Sequence, residues 1–213
     1  MENLEKQLRL YAVTDRAWAK TFDRLLLQTA DAVDGGAGMV QLREKHLGEV
    51  EFQAEAAAFV ALCRRKGVLS IINDNVKVAR DTGADGVHVG QEDLACARAR
   101  KILGPGKIIG VSVHSVEEAL RAEAAGADYL GIGAAFASST KTEAQPIARA
   151  VFRAITGAVS IPAVAIGGIT RDNILQLRDL GLSGVAVISA LFGQPDVRLA
   201  AAELRRLSEE IAR

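Results

Sequence analysis

Arg43 and Lys45 stand two residues apart in the run Gln41-Leu42-Arg43-Glu44-Lys45, and Lys141 closes the run Ser138-Ser139-Thr140-Lys141. An arginine grips an oxyanion as a planar fork and a lysine as a point charge, so the three cations together suit an anion carrying several charges. A solvated ion pair with Glu44 is the plainer use of Arg43 and Lys45. Asp74 lies in Asn73-Asp74-Asn75 and Asp93 in Gly90-Gln91-Glu92-Asp93. Either carboxylate can cap the helix after it. Two of them beside a cation cluster suit Mg²⁺, which commonly takes one or two carboxylates and fills its shell with water and phosphate oxygens. Gly167-Gly168 and Ser189 add main-chain N–H groups and a hydroxyl of the kind that hold a phosphate monoester, although a tight turn is the ordinary use of a double glycine. These residue types describe two anion sites: one cationic and metal-assisted for a pyrophosphate, the other amide-lined for a monophosphate.

What must position them is a repeated βα pattern. Short β-rich runs occur at Leu10–Thr14, Met39–Arg43, Leu69–Asn73, Gly86–Gly90, Ile108–Val113, Tyr129–Gly133, Ala163–Gly167 and Gly184–Ser189. Between them lie segments with helical spacing, such as Glu51–Lys66 and Ser115–Ala125. The phrases Gly83-Ala84-Asp85, Gly126-Ala127-Asp128 and Gly181-Leu182-Ser183 each close a helix and start a strand. Runs such as Val185-Ala186-Val187-Ile188 are apolar throughout, as strands covered on both faces are. Strict alternation predicts a parallel sheet, and eight units predict its closure into a single (β/α)8 TIM barrel over residues 1–213. An open doubly wound sheet is the alternative, but its Gly-x-Gly-x-x-Gly turn is missing after the first strand, at Ala12-Val13-Thr14-Asp15-Arg16. The connection Ala134–Pro146 is long, polar and without periodicity, which marks a functional loop.

In a closed barrel the carboxyl ends of the strands converge on one mouth. That places the runs at Gln41–Lys45, Asn73–Asn75, Ser112, Ser138–Lys141, Gly167-Gly168 and Ile188-Ser189 together, with Asp93 after the fourth strand. No Ser-His-Asp order or zinc spacing accompanies them. His88 reads as a buried, hydrogen-bonded strand residue and His46 as exposed, which leaves His114 as the histidine expected at the mouth. Cys63 and Cys96 fall in helical patterns and read as buried thiols. Composition narrows the classes further. At 49% hydrophobic and 24% charged the chain is globular. Equal totals of 26 basic and 26 acidic residues lack the excess of a general nucleic-acid binder. No apolar run reaches the roughly 18 residues of a membrane span, and Met1-Glu2-Asn3-Leu4-Glu5-Lys6 lacks the pattern of a signal peptide. A soluble, cytoplasmic protein is expected, with no nucleic-acid or membrane partner.

These motifs resemble thiamine-phosphate synthase. The likeness is carried by Gln41-Leu42-Arg43-Glu44-Lys45, Ile72-Asn73-Asp74, His88-Val89-Gly90-Gln91-Glu92-Asp93, Gly110-Val111-Ser112, Thr140-Lys141 and Ile166-Gly167-Gly168-Ile169-Thr170, in register from about Leu10 to Phe192. The resemblance implies a barrel that joins 4-amino-2-methyl-5-(diphosphooxymethyl)pyrimidine to a thiazole phosphate, with Mg²⁺ and release of pyrophosphate. By position, Asp74 and Asp93 would hold the metal. Gln41, Arg43, Lys45, Asn73, Ser112 and Lys141 would contact the pyrimidine diphosphate, with Leu42 and Glu44 in the same run. Of these, Arg43, Lys45, Ser112 and Lys141 would act on the developing charge. Ser138, Ser139, Thr140, Gly168, Ile188 and Ser189 would contact the thiazole phosphate. Assembly into a homo-oligomer is left open. One stretch departs from the family: where it usually reads Gly-Pro, two apolar residues and Pro-Thr-x-Thr-Lys, this chain has Gly133-Ala134-Ala135-Phe136-Ala137-Ser138-Ser139-Thr140-Lys141. Two φ restraints are absent, so the loop is expected to cost more entropy to order. Ser112-Val113-His114-Ser115 also resembles a sister barrel, a thiazole tautomerase, and a catalytically silent phosphate-binding barrel is a third reading; the paired aspartates favour the synthase.

Overall fold

The computed structural model describes residues 2–90, 95–137 and 145–212. Its strands are β1 Leu10–Val13, β2 Met39–Leu42, β3 Leu69–Asn73, β4 Gly86–Val89, β5 Ile108–Val113, β6 Tyr129–Gly133, β7 Ala163–Ile166 and β8 Gly184–Val187. Each pairs in parallel with the next, and β1 pairs with β8, so the sheet closes into an eight-stranded barrel. The helices are α1 Glu2–Leu8, α2 Arg16–Ala19, α3 Phe22–Asp34, α4 Glu49–Lys66, α5 Val76–Thr82, α6 Ala95–Leu103, α7 Val116–Ala124, α8 Arg149–Ala158, α9 Ser189–Phe192 and α10 Val197–Ile211. Among the described residues, no helix is long and apolar enough to cross a membrane.

The apolar strands are sorted by alternation into two cores. Tyr11, Met39, Ile71, Tyr129, Val164 and Ala186 fill the barrel. Their neighbours Val40, Ile72, Val87, Ile109, Leu130 and Val185 face outward and pack with the helices. This two-sided burial is why the strands read as continuous hydrophobic runs.

The repeated Gly-Ala-Asp phrases have a structural use at the amino ends of the strands. Gly83 and Gly126 take φ of +70° and +90°, turning the chain out of α5 and α7. The aspartate that follows then ties down the neighbouring strand. Asp85 accepts from the Ser70 amide and hydroxyl at 2.8 and 2.7 Å. Asp128 accepts from the Ile109 amide and the Arg100 guanidinium at 2.7 and 2.6 Å.

Between β7 and β8 the expected helix after Gly167-Gly168 is replaced by turns and a four-residue 3-10 segment, Ile174–Leu177. Asn173 is the cause visible in the contacts. Its Oδ1 accepts from the Thr170 amide and its Nδ2 donates to the Gly168 carbonyl, 2.8 and 2.9 Å, competing with helical pairing.

Candidate active site

A cleft opens at the carboxyl ends of the strands, lined by Tyr11, Val13, Gln41, Arg43, Asn73, His88, Ser112, Gly131, Val164, Ile166, Ala186 and Ile188. It spans about 470 Å³ counting the open solvent at its mouth. Polar side chains come from β2 to β5 and the apolar wall mainly from β7 and β8, so one side suits charge and the other a flat organic ring.

Arg43 follows the last residue of β2 and is half-buried. Its amide donates to Thr14 Oγ1 at 3.1 Å, and its guanidinium lies 3.6 Å from Asp15. Glu44, the suggested ion-pair partner of Arg43 and Lys45, instead accepts from Arg16 Nε and Nη2 at 3.0 and 2.6 Å. Arg16 also bonds Glu55. Glu44 is therefore turned into a nearly buried triad, with 5% of its side chain exposed, while Lys45 stays exposed. Leu42 belongs to the outer core and is fully buried, so it can offer a ligand only its main chain.

At the end of β3, Asn73 lines the cleft and its Nδ2 donates to Asp74 Oδ2 at 2.6 Å. Asp74 is exposed and has φ +60°, a left-handed conformation that aspartate tolerates better than most residues. The cap of α5 is Asn75, whose side chain accepts from the Val78 amide at 2.9 Å. Helix capping therefore does not account for Asp74. Asp93, Ser138, Ser139, Thr140 and Lys141 lie outside the described residues.

Ser112 lines the cleft from β5, 3.0 Å from His88 Nε2. The mouth histidine expected from the sequence is corrected here. His114 is exposed and paired with Glu118, Nδ1 to Oε2 3.1 Å, and is not among the lining residues. His88, read as a buried strand residue, lines the cleft while hydrogen-bonded through both nitrogens. A β-strand explains the exchange: His88 has inward parity on β4, whereas His114 follows the end of β5, in the connection to α7.

Ile188 lines the wall at the end of β8, and Ser189 opens the short α9. Gly168 has φ +63°, and a Cβ on it would fall 2.3 Å from the Ala137 carbonyl oxygen, so the loop after β6 packs directly on its backbone. That loop begins apolar, a departure from its polar reading. Ala134 and Ala135 are buried, and the amides of Ala135 and Phe136 donate to the carbonyls of Ile166 and Gly167 at 2.8 and 3.0 Å. Sequence reasoning missed Tyr11, Tyr129 and Arg16. A tyrosine inside a strand buried on both faces needs a hydrogen-bond partner, and that was the available signal.

The family model for thiamine monophosphate synthase matches residues 10–191. A thiamine-phosphate synthase of Ruminiclostridium cellulolyticum is 44% identical over 197 residues, covering 92% of each chain. The thiamine biosynthesis bifunctional protein ThiED of Geobacter sulfurreducens is 46% identical over 93% of this chain, which spans 39% of that longer protein. The solved thiamine phosphate pyrophosphorylase of Pyrococcus furiosus superposes with a TM-score of 0.88 at 41% identity, covering 98% of both chains. A 3-hexulose-6-phosphate synthase, 17% identical with a TM-score of 0.67, shares the fold alone. With the family's model spanning all eight strands of the barrel and its members aligned along nearly the whole chain, this protein belongs to the thiamine monophosphate synthase family and is a transferase.

Proposed function

We propose that the barrel transfers the pyrimidinylmethyl group of 4-amino-2-methyl-5-(diphosphooxymethyl)pyrimidine to the nitrogen of a thiazole phosphate, releasing pyrophosphate in an Mg²⁺-assisted step. The observation that carries this reading is the placement of Arg43, Asn73 and Ser112 on one cleft, with the Asp74 carboxylate held against Asn73. Asp74 suits a metal: it is exposed, held in one orientation by Asn73 and not used as a cap. Asp74 and Asp93 would hold Mg²⁺, which when bound supplies positive charge against the departing pyrophosphate.

The chain's own residues then divide the work. Arg43, Lys45 and Lys141 bind the diphosphate and meet the charge that grows on it as the carbon–oxygen bond breaks. Val13, Val164, Ile166 and Ile188 provide an apolar wall for the planar rings. Gly168, Ser189 and the hydroxyls at 138–140 would hold the thiazole phosphate. The lining includes no cysteine, carboxylate or lysine nucleophile among the described residues, and both nitrogens of His88 are hydrogen-bonded. A covalent pyrimidine–enzyme intermediate is therefore not invoked, and the reading adopted is ionisation first: the bond pair leaves with pyrophosphate, and the thiazole nitrogen attacks the resulting benzylic-type cation. An electron-withdrawing substituent on the pyrimidine should slow single-turnover chemistry steeply; a flat response indicates direct displacement.

Release of pyrophosphate by purified protein, given both substrates with Mg²⁺ and then with a chelator, tests the assignment. Release that needs both substrates and the metal is expected. No release in any combination overturns it.

A further inference from the structure

Five polar side chains from five strands form one hydrogen-bonded row through the barrel. Gln41 Nε2 donates to the Tyr11 hydroxyl at 2.5 Å. The hydroxyls of Tyr11 and Tyr129 are 2.8 Å apart, and Tyr129 lies 2.9 Å from His88 Nδ1. His88 Nε2 is 3.0 Å from Ser112 Oγ. The interior is shaped around this row. A Cβ on Gly110 would fall 2.1 Å from Tyr129 Cζ and 2.5 Å from His88 Nδ1, and one on Gly131 would fall 3.2 Å from His88 Cε1. The rings pack on each other as well, Tyr11 edge-on to Tyr129 with centroids 5.7 Å apart and His88 5.5 Å from Tyr129.

Both phenols are completely buried, and burial pushes their pKa values up, so each remains a neutral group with a single hydrogen to donate. The direction then follows from the Gln41 end. A Tyr11 hydroxyl that accepts from Gln41 gives its hydrogen to Tyr129, which gives its own to His88 Nδ1. An imidazole that accepts at Nδ1 carries its proton on Nε2 and donates to Ser112. A serine hydroxyl that accepts from the imidazole directs its own hydrogen elsewhere.

We propose that this row is an orienting device: it holds His88 as the neutral Nε2–H tautomer and turns the Ser112 hydroxyl into the cleft, where it donates to the leaving diphosphate. His88 and Tyr129 are thus positioning residues acting through Ser112, a role that rests on the synthase reading of the cleft. The opposite order requires Gln41 to present its carbonyl oxygen to Tyr11 and Ser112 to donate to His88.

The test combines imidazole ¹⁵N spectra with kinetics on the full chain. The protein has three histidines, and His88 is assigned by the signal lost in His88→Gln. At neutral pH, His88 is expected to show an unprotonated Nδ1 and a protonated Nε2; the reverse pattern overturns the proposal. Tyr129 does not line the cleft, so Tyr129→Phe probes the row alone. It should draw the two nitrogen shifts toward each other and lower kcat about fivefold at unchanged KM, the effect of one neutral hydrogen bond. In a Ser112→Ala background the same change should lower kcat by less than about twofold. A Tyr129→Phe protein with unchanged shifts and full kcat per folded molecule overturns the proposal. Should that variant fail to fold, Tyr11→Phe breaks the row one bond earlier, touches neither His88 nor Ser112, and is read in the same spectrum. Absence of turnover in the parent protein sinks the synthase reading, while the spectra still decide the tautomer.

Discussion

Replacing Arg16 with alanine removes a cation bonded through one nitrogen to both Glu44 and Glu55. The two glutamate side chains are 5% and 13% exposed and the arginine side chain 27%. Breaking a fully buried pair from one side costs about 3–5 kcal/mol, whereas a surface pair is worth about 0–1 kcal/mol. The enclosed carboxylates and half-open cation place the cost between these, at about 2–3 kcal/mol. The contact of the guanidinium with the Phe22 ring, 5.6 Å from its centroid, is lost too. For a domain of this size, that is a fall in Tm of about 4–12 °C. Burial raises the Glu55 pKa, the charge of Glu44 raises it further, and Arg16 opposes both. A carboxyl group raised in the folded state contributes stability that is complete below the ordinary glutamate value and is lost as pH rises through the folded value. Without Arg16 the rise is larger, so the deficit should shrink in mild acid and widen toward neutral pH.

The same change reaches the site. Glu44 stands between Arg43 and Lys45 in the chain, and Arg16 keeps its carboxylate away from both. Once released, it competes with the diphosphate for those cations. KM for the pyrimidine diphosphate should rise about threefold to tenfold, equivalent to about 0.7–1.4 kcal/mol, with a smaller effect on kcat. Arg16→Ala combined with Glu44→Gln removes the competing charge and should recover most of that KM. Thermal melts at neutral and mildly acidic pH, with steady-state pyrophosphate release, measure all of these quantities. A Tm within about 1 °C of the parent and an unchanged KM would refute the reasoning.

Asp74→Asn should lower Mg²⁺-dependent turnover by about two orders of magnitude or more with Tm nearly unchanged, because Asn75 and not Asp74 caps α5; Asn75→Ala, by contrast, should cost about 1 kcal/mol of stability. Gly168→Ala forces a Cβ to within 2.3 Å of the Ala137 carbonyl at a φ of +63°, so titration should show weakened thiazole-phosphate binding, and melts a loss of about 1–3 kcal/mol. Burial pushes the Cys63 thiol up to about 12 and raises that of Cys96; a thiol reagent at neutral pH should leave the native protein unlabelled and modify both cysteines in denaturant.

The barrel was legible because its evidence is local. β3, β5 and β6 fall where the apolar runs predict them, at Leu69–Asn73, Ile108–Val113 and Tyr129–Gly133. Elsewhere the runs extend past the strands, through Thr14, Arg43, Gly90, Gly167 and Ser189, because at the mouth the chain leaves the sheet while its residues still read as strand. At that boundary Thr14 accepts from the Arg43 amide, tying the ends of β1 and β2 together. α4 starts at Glu49, earlier than its apolar spacing suggests, since its cap is Gly48 and carries no side-chain signal. Contacts across the barrel were not legible. Tyr11 and Tyr129 are 118 residues apart, and Arg16 and Glu55 are 39; no local spacing reports such pairs. That His88, a hydrogen-bonded strand residue as expected, also faces the cleft while His114 does not line it was hidden for a related reason: parity decides which side of the sheet a residue faces, while sequence position shows only how near it lies to a strand end.

The aspartates at the two ends of the barrel differ in what local structure asks of them. Asp85 and Asp128 precede β4 and β6, at the amino ends, where each accepts from an amide of the preceding strand and ties it to the next. Asp74 follows β3, at the carboxyl end, where the strands diverge and the next helix already has its cap in Asn75. The Asp74 amide still pairs with the His88 carbonyl at 2.8 Å, but its carboxylate neither bonds the neighbouring strand nor caps the helix, and its φ is +60°. The neighbour that holds it, Asn73, lines the cleft. Strand pairing accounts for the two aspartates at the base of the barrel, and the proposed Mg²⁺ site gives a use to the one at its mouth.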